Sequence, residues 1–386
     1  MSDTPLDARM AFLMEADRLK SITRANVLMD LSRPENAAEH SWHIALYALV
    51  LAPHAHRGTN IDRVIAMLLL HDLVEIDAGD TPIHLAQDPD QQAKTEARAA
   101  DRLFGLLPAD EGAAFRSLWR EFEAAQTPDA IFAKRLDHLQ PIFQVGHGRA
   151  DHIDIARQNL AHGRAAPLRH DWPDAFAAAE ASLSGLPFAP TPLGRRLTFL
   201  AEADRLKSVD RATRLTDGSR FENSAEHSWH LALFALILAA HAPQGVRIGR
   251  VVRMLLLHDL VEIDAGDTPV FGAGADDPAA QAALETIAAN RLFGLLPPPQ
   301  GRDLRTLWDE FEANDTRDAK FAKSLDRFQP PNLNLANGGG SWIDYSVTEG
   351  QIRSRIAPKI SHGAPELWAW LDPRIRKHFQ GSSADA

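Results

Sequence analysis

His71 and Asp72 stand next to each other in the stretch "MLLLHDLVEIDAGDTP", and the same sixteen letters recur unbroken around His258 and Asp259. Neighbouring helical residues point about 100° apart. An adjacent imidazole and carboxylate therefore reach one common point only beside the helix, where an ion could sit. Two more residues can complete such a site from elsewhere in each copy. His40 and His227 open the helical stretches "AEHSWHIALYALVLA" and "AEHSWHLALFALILA". Asp137 and Asp326 stand in "KRLDHLQP" and "KSLDRFQP". Two imidazoles and two carboxylates make a nitrogen–oxygen set suited to a divalent transition metal, with positions left for water. A lone core histidine would be unremarkable; the four-part pattern, occurring twice at matching separations, is not.

The elements that must position these residues are themselves duplicated. "FLMEADRLKSITRAN" at Phe12 returns as "FLAEADRLKSVDRAT" at Phe199, and "RLFGLLP" occurs after both Asp101 and Asn290. The unit is far longer than a solenoid repeat. It divides the chain into residues 1–186 and 193–386 across the proline-rich "SGLPFAPTP". Apolar residues at helical spacing fill "IDRVIAMLLLHDLVEI", which reads as one helix broken at Gly79. "NAAE" and "NSAE" carry an acid three residues after Asn, the signature of a capping box at the start of each His40-type helix. "EARAADRLFGLL" and "AFRSLWREFEAA" are amphipathic, and few stretches alternate as strands do. The expected fold is all-α, one helical bundle per repeat, with the halves packed about a pseudo-two-fold axis as an intramolecular pseudo-dimer.

Composition narrows the function. The chain has 386 residues, 45% hydrophobic, enough for two cores. Its net charge of −11 argues against nucleic-acid and anionic-membrane partners. The absence of cysteine excludes disulfides, thiolate zinc sites and cysteine nucleophiles. The apolar runs are too short to span a bilayer and the first residues show no signal-peptide pattern, so a cytoplasmic location is expected.

The order H…HD…D resembles the HD-domain metal-dependent phosphohydrolases. "AEHSWH", "HDLVEIDAGDTP" and "LDRFQP" are most similar to small bacterial HD-domain proteins related to 5′-deoxynucleotidases. The resemblance covers nearly the whole chain, twice. It implies a single divalent ion per repeat, held by His40, His71, Asp72 and Asp137 and again by His227, His258, Asp259 and Asp326. Manganese, cobalt, magnesium, iron, zinc and nickel all suit such a set. It also implies hydrolysis of a small phosphomonoester, with a (deoxy)nucleoside 5′-monophosphate the expected substrate. Glu75 and Asp80, with Glu262 and Asp267, take the proton-transfer roles, which their place beside the HD pair also suits. Arg24 and Arg211 match an arginine that reaches the phosphate in related nucleotidases, and Lys134 and Lys323 lie three residues before the last ligand. Two other readings stand beside this one: a non-catalytic metal- or nucleotide-binding regulator, and an HD-type di-iron oxygenase. The oxygenase needs extra histidines, and before Asp326 the second half offers only His230 and His241 in addition to His227 and His258, neither of them in the stretch following the HD pair. The halves depart from each other after the last aspartate. "PPNLNLANGGGSW" keeps a glycine run and a tryptophan, whereas "PIFQVGHGRADH" does not, so the second site is expected to be the better catalyst.

Overall fold

A computed structural model describes residues 4–80, 88–146, 150–271 and 278–382. Both repeats are built of helices, as the periodicity requires. In the first, helix Pro5–Ala16 runs into a 3₁₀ turn, Asp17–Ser21, and a small antiparallel pair, Thr23–Val27 with Pro34–Asn36. Helix Ala37–Val50 follows, then Ile61–Leu70, Pro89–Phe104, Ala109–Ala124 and Pro128–Val145. The second repeat has the same order: Pro192–Ala203, the pair Asp210–Arg214 with Phe221–Asn223, then Ser224–Ile237, Ile248–Leu257, Pro278–Gly294, Pro298–Ala313 and Arg317–Ala336. The two short strand pairs were not legible in the sequence, because neither strand is long enough to show an alternating pattern.

The capping boxes form as the sequence indicates. Asn36 Oδ1 accepts from the Glu39 amide while the Glu39 carboxylate accepts from the Asn36 amide, and Asn223 with Glu226 repeats this. Every residue of Ala37–Val50 is buried, so the cap fixes the first turn of a central helix rather than a surface one.

The long helix read through the HD pair is shorter than expected. It stops at Leu70, and His71–Val74 forms a 3₁₀ turn before one further turn, Glu75–Ala78. A tertiary contact explains the break. The Trp119 indole N–H donates to the His71 carbonyl at 3.3 Å, taking the acceptor that the Glu75 amide would use in an α-helix. That amide bonds the Asp72 carbonyl instead. Trp308 does the same to His258 at 3.1 Å, and the Glu262 amide bonds Asp259. Gly79 and Gly266, at φ of 73° and 75°, then turn the chain in a conformation that favours glycine.

By packing, the chain divides into one compact unit of Met1–Lys207 with Arg291–Arg302, and another of Ser208–Asn290 with Asp303–Ala386. These units differ from the repeat boundaries 1–186 and 193–386. Helix Pro192–Ala203 and the turn after it begin the second repeat in sequence but belong to the first unit. Specific bonds hold them there: the Leu200 carbonyl accepts from His43 Nε2, and the Asp204 carboxylate from the Met29 amide. Among the described residues, no helix is long and apolar enough to cross a membrane.

Candidate metal centres

In the first repeat, His40 comes from the first turn of Ala37–Val50, His71 and Asp72 from the 3₁₀ turn, and Asp137 from the middle of Pro128–Val145. The structure brings all four together. His71 Nε2 lies 2.9 Å from Asp72 Oδ1 and 3.8 Å from Asp137 Oδ1, and His40 Nε2 lies 3.2 Å from Asp137 Oδ1. The second repeat repeats the arrangement. His258 Nε2 is 3.0 Å from Asp259 Oδ1, and His227 Nε2 is 3.4 Å from Asp326 Oδ1. The two imidazoles stand 5.7 Å apart in both centres.

The outer ring nitrogens decide what these distances mean. His71 Nδ1 faces the Leu68 carbonyl at 2.8 Å, and His258 Nδ1 faces that of Leu255 at 2.9 Å. A carbonyl only accepts, so each Nδ1 carries the proton and each Nε2 presents a lone pair inward. Both Nε2 atoms are buried without a hydrogen-bond partner. His40 is fixed the same way by Gln140 Oε1 at 3.1 Å, and His227 by Glu222 Oε2 at 3.1 Å. Lone pairs and carboxylate oxygens thus converge on one point, and acceptor facing acceptor is stable only around a cation. A divalent ion about 2.0–2.2 Å from such nitrogen and oxygen atoms meets that requirement, and tethering imidazoles through their outer N–H is the usual support for one.

The surrounding charges are consistent with this. Burial opposes charge on Asp137, but His40 and His71 prevail and hold its carboxyl well below the usual range. Asp259 is lowered to about 2, with His258 and Arg211 outweighing burial. Burial and Arg24 oppose charge on His40, yet Asp137 and Glu35 raise it, so carboxylates that could hold a proton there could equally hold a metal. Glu75 and Glu262 behave oppositely to the aspartates. Burial, then the neighbouring Asp72 or Asp259, pushes each well above the ordinary glutamate value. Burial also raises Asp80.

Arg24 and Arg211 join the clusters by pairing with their carboxylates. Arg24 Nη1 is 2.7 Å from Asp72 Oδ2 and 3.9 Å from Glu75 Oε1. Arg211 Nη1 is 2.8 Å from Asp259, 3.5 Å from Asp267 and 3.6 Å from Glu262. Lys134 and Lys323 are placed differently. They lie over the rings of Phe122 and Phe311 and bond Glu123 and Glu312. Trp42 and Trp229 are fully buried, stacked on His43 and His230. His241 pairs with Glu366 at 2.9 Å.

Beside the second centre lies a small open cleft of about 80 Å³, lined by Arg211, Asp267, Phe271, Arg327, Asn334, Ser341, Trp342 and Tyr345 among others. The glycine run shapes it. Gly338, Gly339 and Gly340 have φ of 79°, 127° and 42°, and a side chain at Gly340 would strike Asn334 and Asn337. The Gly339 amide is spent on the Asn334 carbonyl, so the run works as a tight turn that delivers Ser341 and Trp342. In the first half, His147 and Arg149 and the side chain of Asp151 fall outside the described residues.

Several site residues were not singled out from the sequence: Glu35 and Glu222, Gln140 and Gln329, and Lys207. Each is fully buried, and each letter is kept in both halves, which was the available signal.

An HD-domain family model matches residues 16–175 and 203–368. A 5′-deoxynucleotidase of Homo sapiens is 29% identical over 136 residues, 35% of this chain and 65% of that protein, so the match spans just under two thirds of the relative. A 5′-deoxynucleotidase of Erwinia tasmaniensis is 31% identical over 136 residues, 33% of this chain and 68% of that one. The crystal structure of a predicted metal-dependent phosphohydrolase from Magnetospirillum magnetotacticum is 45% identical, covers 49% of this chain and 96% of its own, and superposes with a TM-score of 0.46.

Proposed function

This chain belongs to the HD-domain family, whose domain it carries twice, and from that premise we propose that it is a metal-dependent phosphomonoester hydrolase acting on (deoxy)nucleoside 5′-monophosphates. The observation that carries the reading is the inward pair of Nε2 lone pairs facing carboxylates in each repeat. In this reading His40, His71, Asp72 and Asp137 hold one divalent ion, and His227, His258, Asp259 and Asp326 hold a second. When bound, such an ion polarises a phosphoryl oxygen and makes water acidic enough to attack phosphorus.

The remaining chemistry falls to the chain. Each guanidinium must serve several acids at once: Arg211 faces Asp259, Glu262 and Asp267. Those carboxylates cannot all stay charged at little cost, and Glu262, raised by burial and by Asp259, is the one that takes up a proton most readily. Glu262, and Glu75 in the first repeat, can therefore protonate the departing ester oxygen and later take the proton back from water. Asp80 and Asp267 stand beside them as the second acid of each pair. Arg24 and Arg211 hold the carboxylates in place and offer remaining N–H groups to phosphate oxygens. The cleft beside the second centre supplies the rest of a nucleotide site. Trp342, Tyr345 and Phe271 present aromatic surface, and Asn334 and Ser341 present hydrogen-bonding groups. The substrate class rests on that lining and on the 5′-deoxynucleotidase names of the human and Erwinia relatives.

A phosphate-release screen over nucleoside 5′-monophosphates tests this, run with manganese, cobalt, magnesium, iron, zinc or nickel and again with chelator. Release that needs metal and stops with chelator is expected. Metal bound at both centres with no release from any phosphomonoester would sink the hydrolase reading and leave a regulatory binder.

A further inference from the structure

We infer that Lys207, which belongs in sequence to the second repeat, is a positioning residue for the first repeat's metal centre, acting on His40 through Glu35 and Gln140. The inference rests on the metal reading given above. Lys207 is fully buried within the first compact unit. Its ammonium bonds Glu35 Oε1 at 2.7 Å, lies 3.0 Å from His43 Nδ1, and pairs with Asp204. Glu35, His43 and Asp204 together place three ligating atoms within 4.8 Å of one another, and the ammonium already supplies the cation they would otherwise seek.

Glu35 passes the constraint on. Its Oε1 also accepts from Gln140 Nε2 at 3.3 Å, and that amide donates as well to Gln144 Oε1 at 2.6 Å. With its nitrogen committed to this side, Gln140 can only turn its oxygen toward His40 Nδ1, which fixes the ring. The other carboxylate oxygen, Oε2, is 3.5 Å from His40 Nδ1 and 3.7 Å from Arg24 Nε, and makes no hydrogen bond. Take Lys207 away and a fully buried carboxylate loses its nearest cation. Arg24 is the next, and it now holds Asp72 at 2.7 Å. A shift of Arg24 toward Glu35, or a turn of Glu35 onto His40, moves a proposed ligand in either case.

The segment carrying Lys207 is held for this purpose by independent bonds. The Leu200 carbonyl takes His43 Nε2–H at 2.9 Å, Asp204 takes the Met29 amide at 2.9 Å, and the Lys207 carbonyl takes Arg33 Nη2–H at 2.6 Å. The first centre is thus completed by residues from beyond the proline-rich linker. Arg24, the first repeat's cation nearest Glu35, is engaged with Asp72, so the second repeat's turn provides the ammonium that Glu35 bonds directly.

Manganese titration of the full chain by calorimetry tests this, with the second centre disabled by His258→Ala so that only the first is counted. Loss of an outer support of this kind typically weakens metal binding by about 10- to 100-fold. Adding Lys207→Met should weaken the remaining site by that factor. In a Glu35→Gln background the same change should have little further effect, because the group through which Lys207 acts is already altered. In a His71→Ala background, where only the second centre binds, Lys207→Met should change affinity by less than about twofold; Lys207→Gln serves as a second variant should the first fold poorly. Unchanged first-site affinity, equal weakening of both centres, or additive effects with Glu35→Gln would overturn the inference. A His258→Ala chain that binds no manganese before Lys207 is touched would instead overturn the metal reading itself.

Discussion

Replacing Glu75 and Glu262 together by glutamine separates proton transfer from metal holding. Glutamine has the same shape, carries no charge and keeps hydrogen-bonding capacity. Ser224 Oγ donates to Glu262 Oε2 at 2.5 Å, and the side-chain oxygen of the introduced glutamine can accept the same bond. Arg211 would keep Asp259 and Asp267 as partners. What glutamine cannot do is give and take a proton. A positioned acid–base group contributes about 10²–10⁴-fold, so turnover should fall by that factor, or about 3–5 kcal/mol in barrier. KM and metal content should hold within roughly threefold, well short of the tenfold that 1.4 kcal/mol represents. Stability gives a second readout. A glutamate whose folded value is raised contributes stability fully present below its unfolded value, and lost as pH rises through the folded one. Glutamine does not titrate. In chelator, the variant should therefore melt higher than the parent by a few degrees or so at neutral pH, and the gap should close as pH falls toward the ordinary glutamate value. Phosphate release, metal analysis and melting against pH measure all three. Turnover within tenfold of the parent, or loss of metal, would refute the proton-transfer role.

Other outcomes follow from the same geometry. Asp326→Ala should reduce total phosphate release several-fold more than Asp137→Ala, because the built cleft lies beside the second centre; equal losses would show that the glycine-run segment does not set activity. Trp342→Ala should raise KM about tenfold with kcat nearly unchanged, as expected when aromatic stacking worth about 1–3 kcal/mol is removed from a nucleoside; an effect on kcat alone would place Trp342 outside the binding surface. Asn36→Ala should cost about 1 kcal/mol of stability, the usual worth of an N-cap, as read from chemical denaturation. Trp308→Phe frees the His258 carbonyl and should weaken metal binding at the second centre; unchanged affinity would mean that the turn after Leu257 is held by other contacts.

Much of this was legible in the letters because local chemistry dictated it. The capping boxes at Asn36 and Asn223 need only residues three apart, and the HD pairs announce themselves by sitting in otherwise apolar runs. The break after Leu70 was not legible, because an indole some fifty positions away causes it by taking one carbonyl. The glycines at 338–340 stood out in the sequence as a difference between the halves; their role in a turn that spends the Gly339 amide on the Asn334 carbonyl was not legible there. Glu35 and Gln140 looked like ordinary polar letters at a cap and a helix middle; only burial shows that they orient His40. Lys207 was hidden most completely, since the linker before it suggested that it served its own repeat. A sequence records the repeat, but packing decides which unit a turn joins.

Metal content of the purified full chain tests the central claim most directly. After loading with manganese and removal of excess, the parent should hold up to two ions per chain, His71→Ala and His258→Ala should each lose one, and the double variant should lose both. A double variant that keeps its full metal content would contradict the proposed centres at their first step.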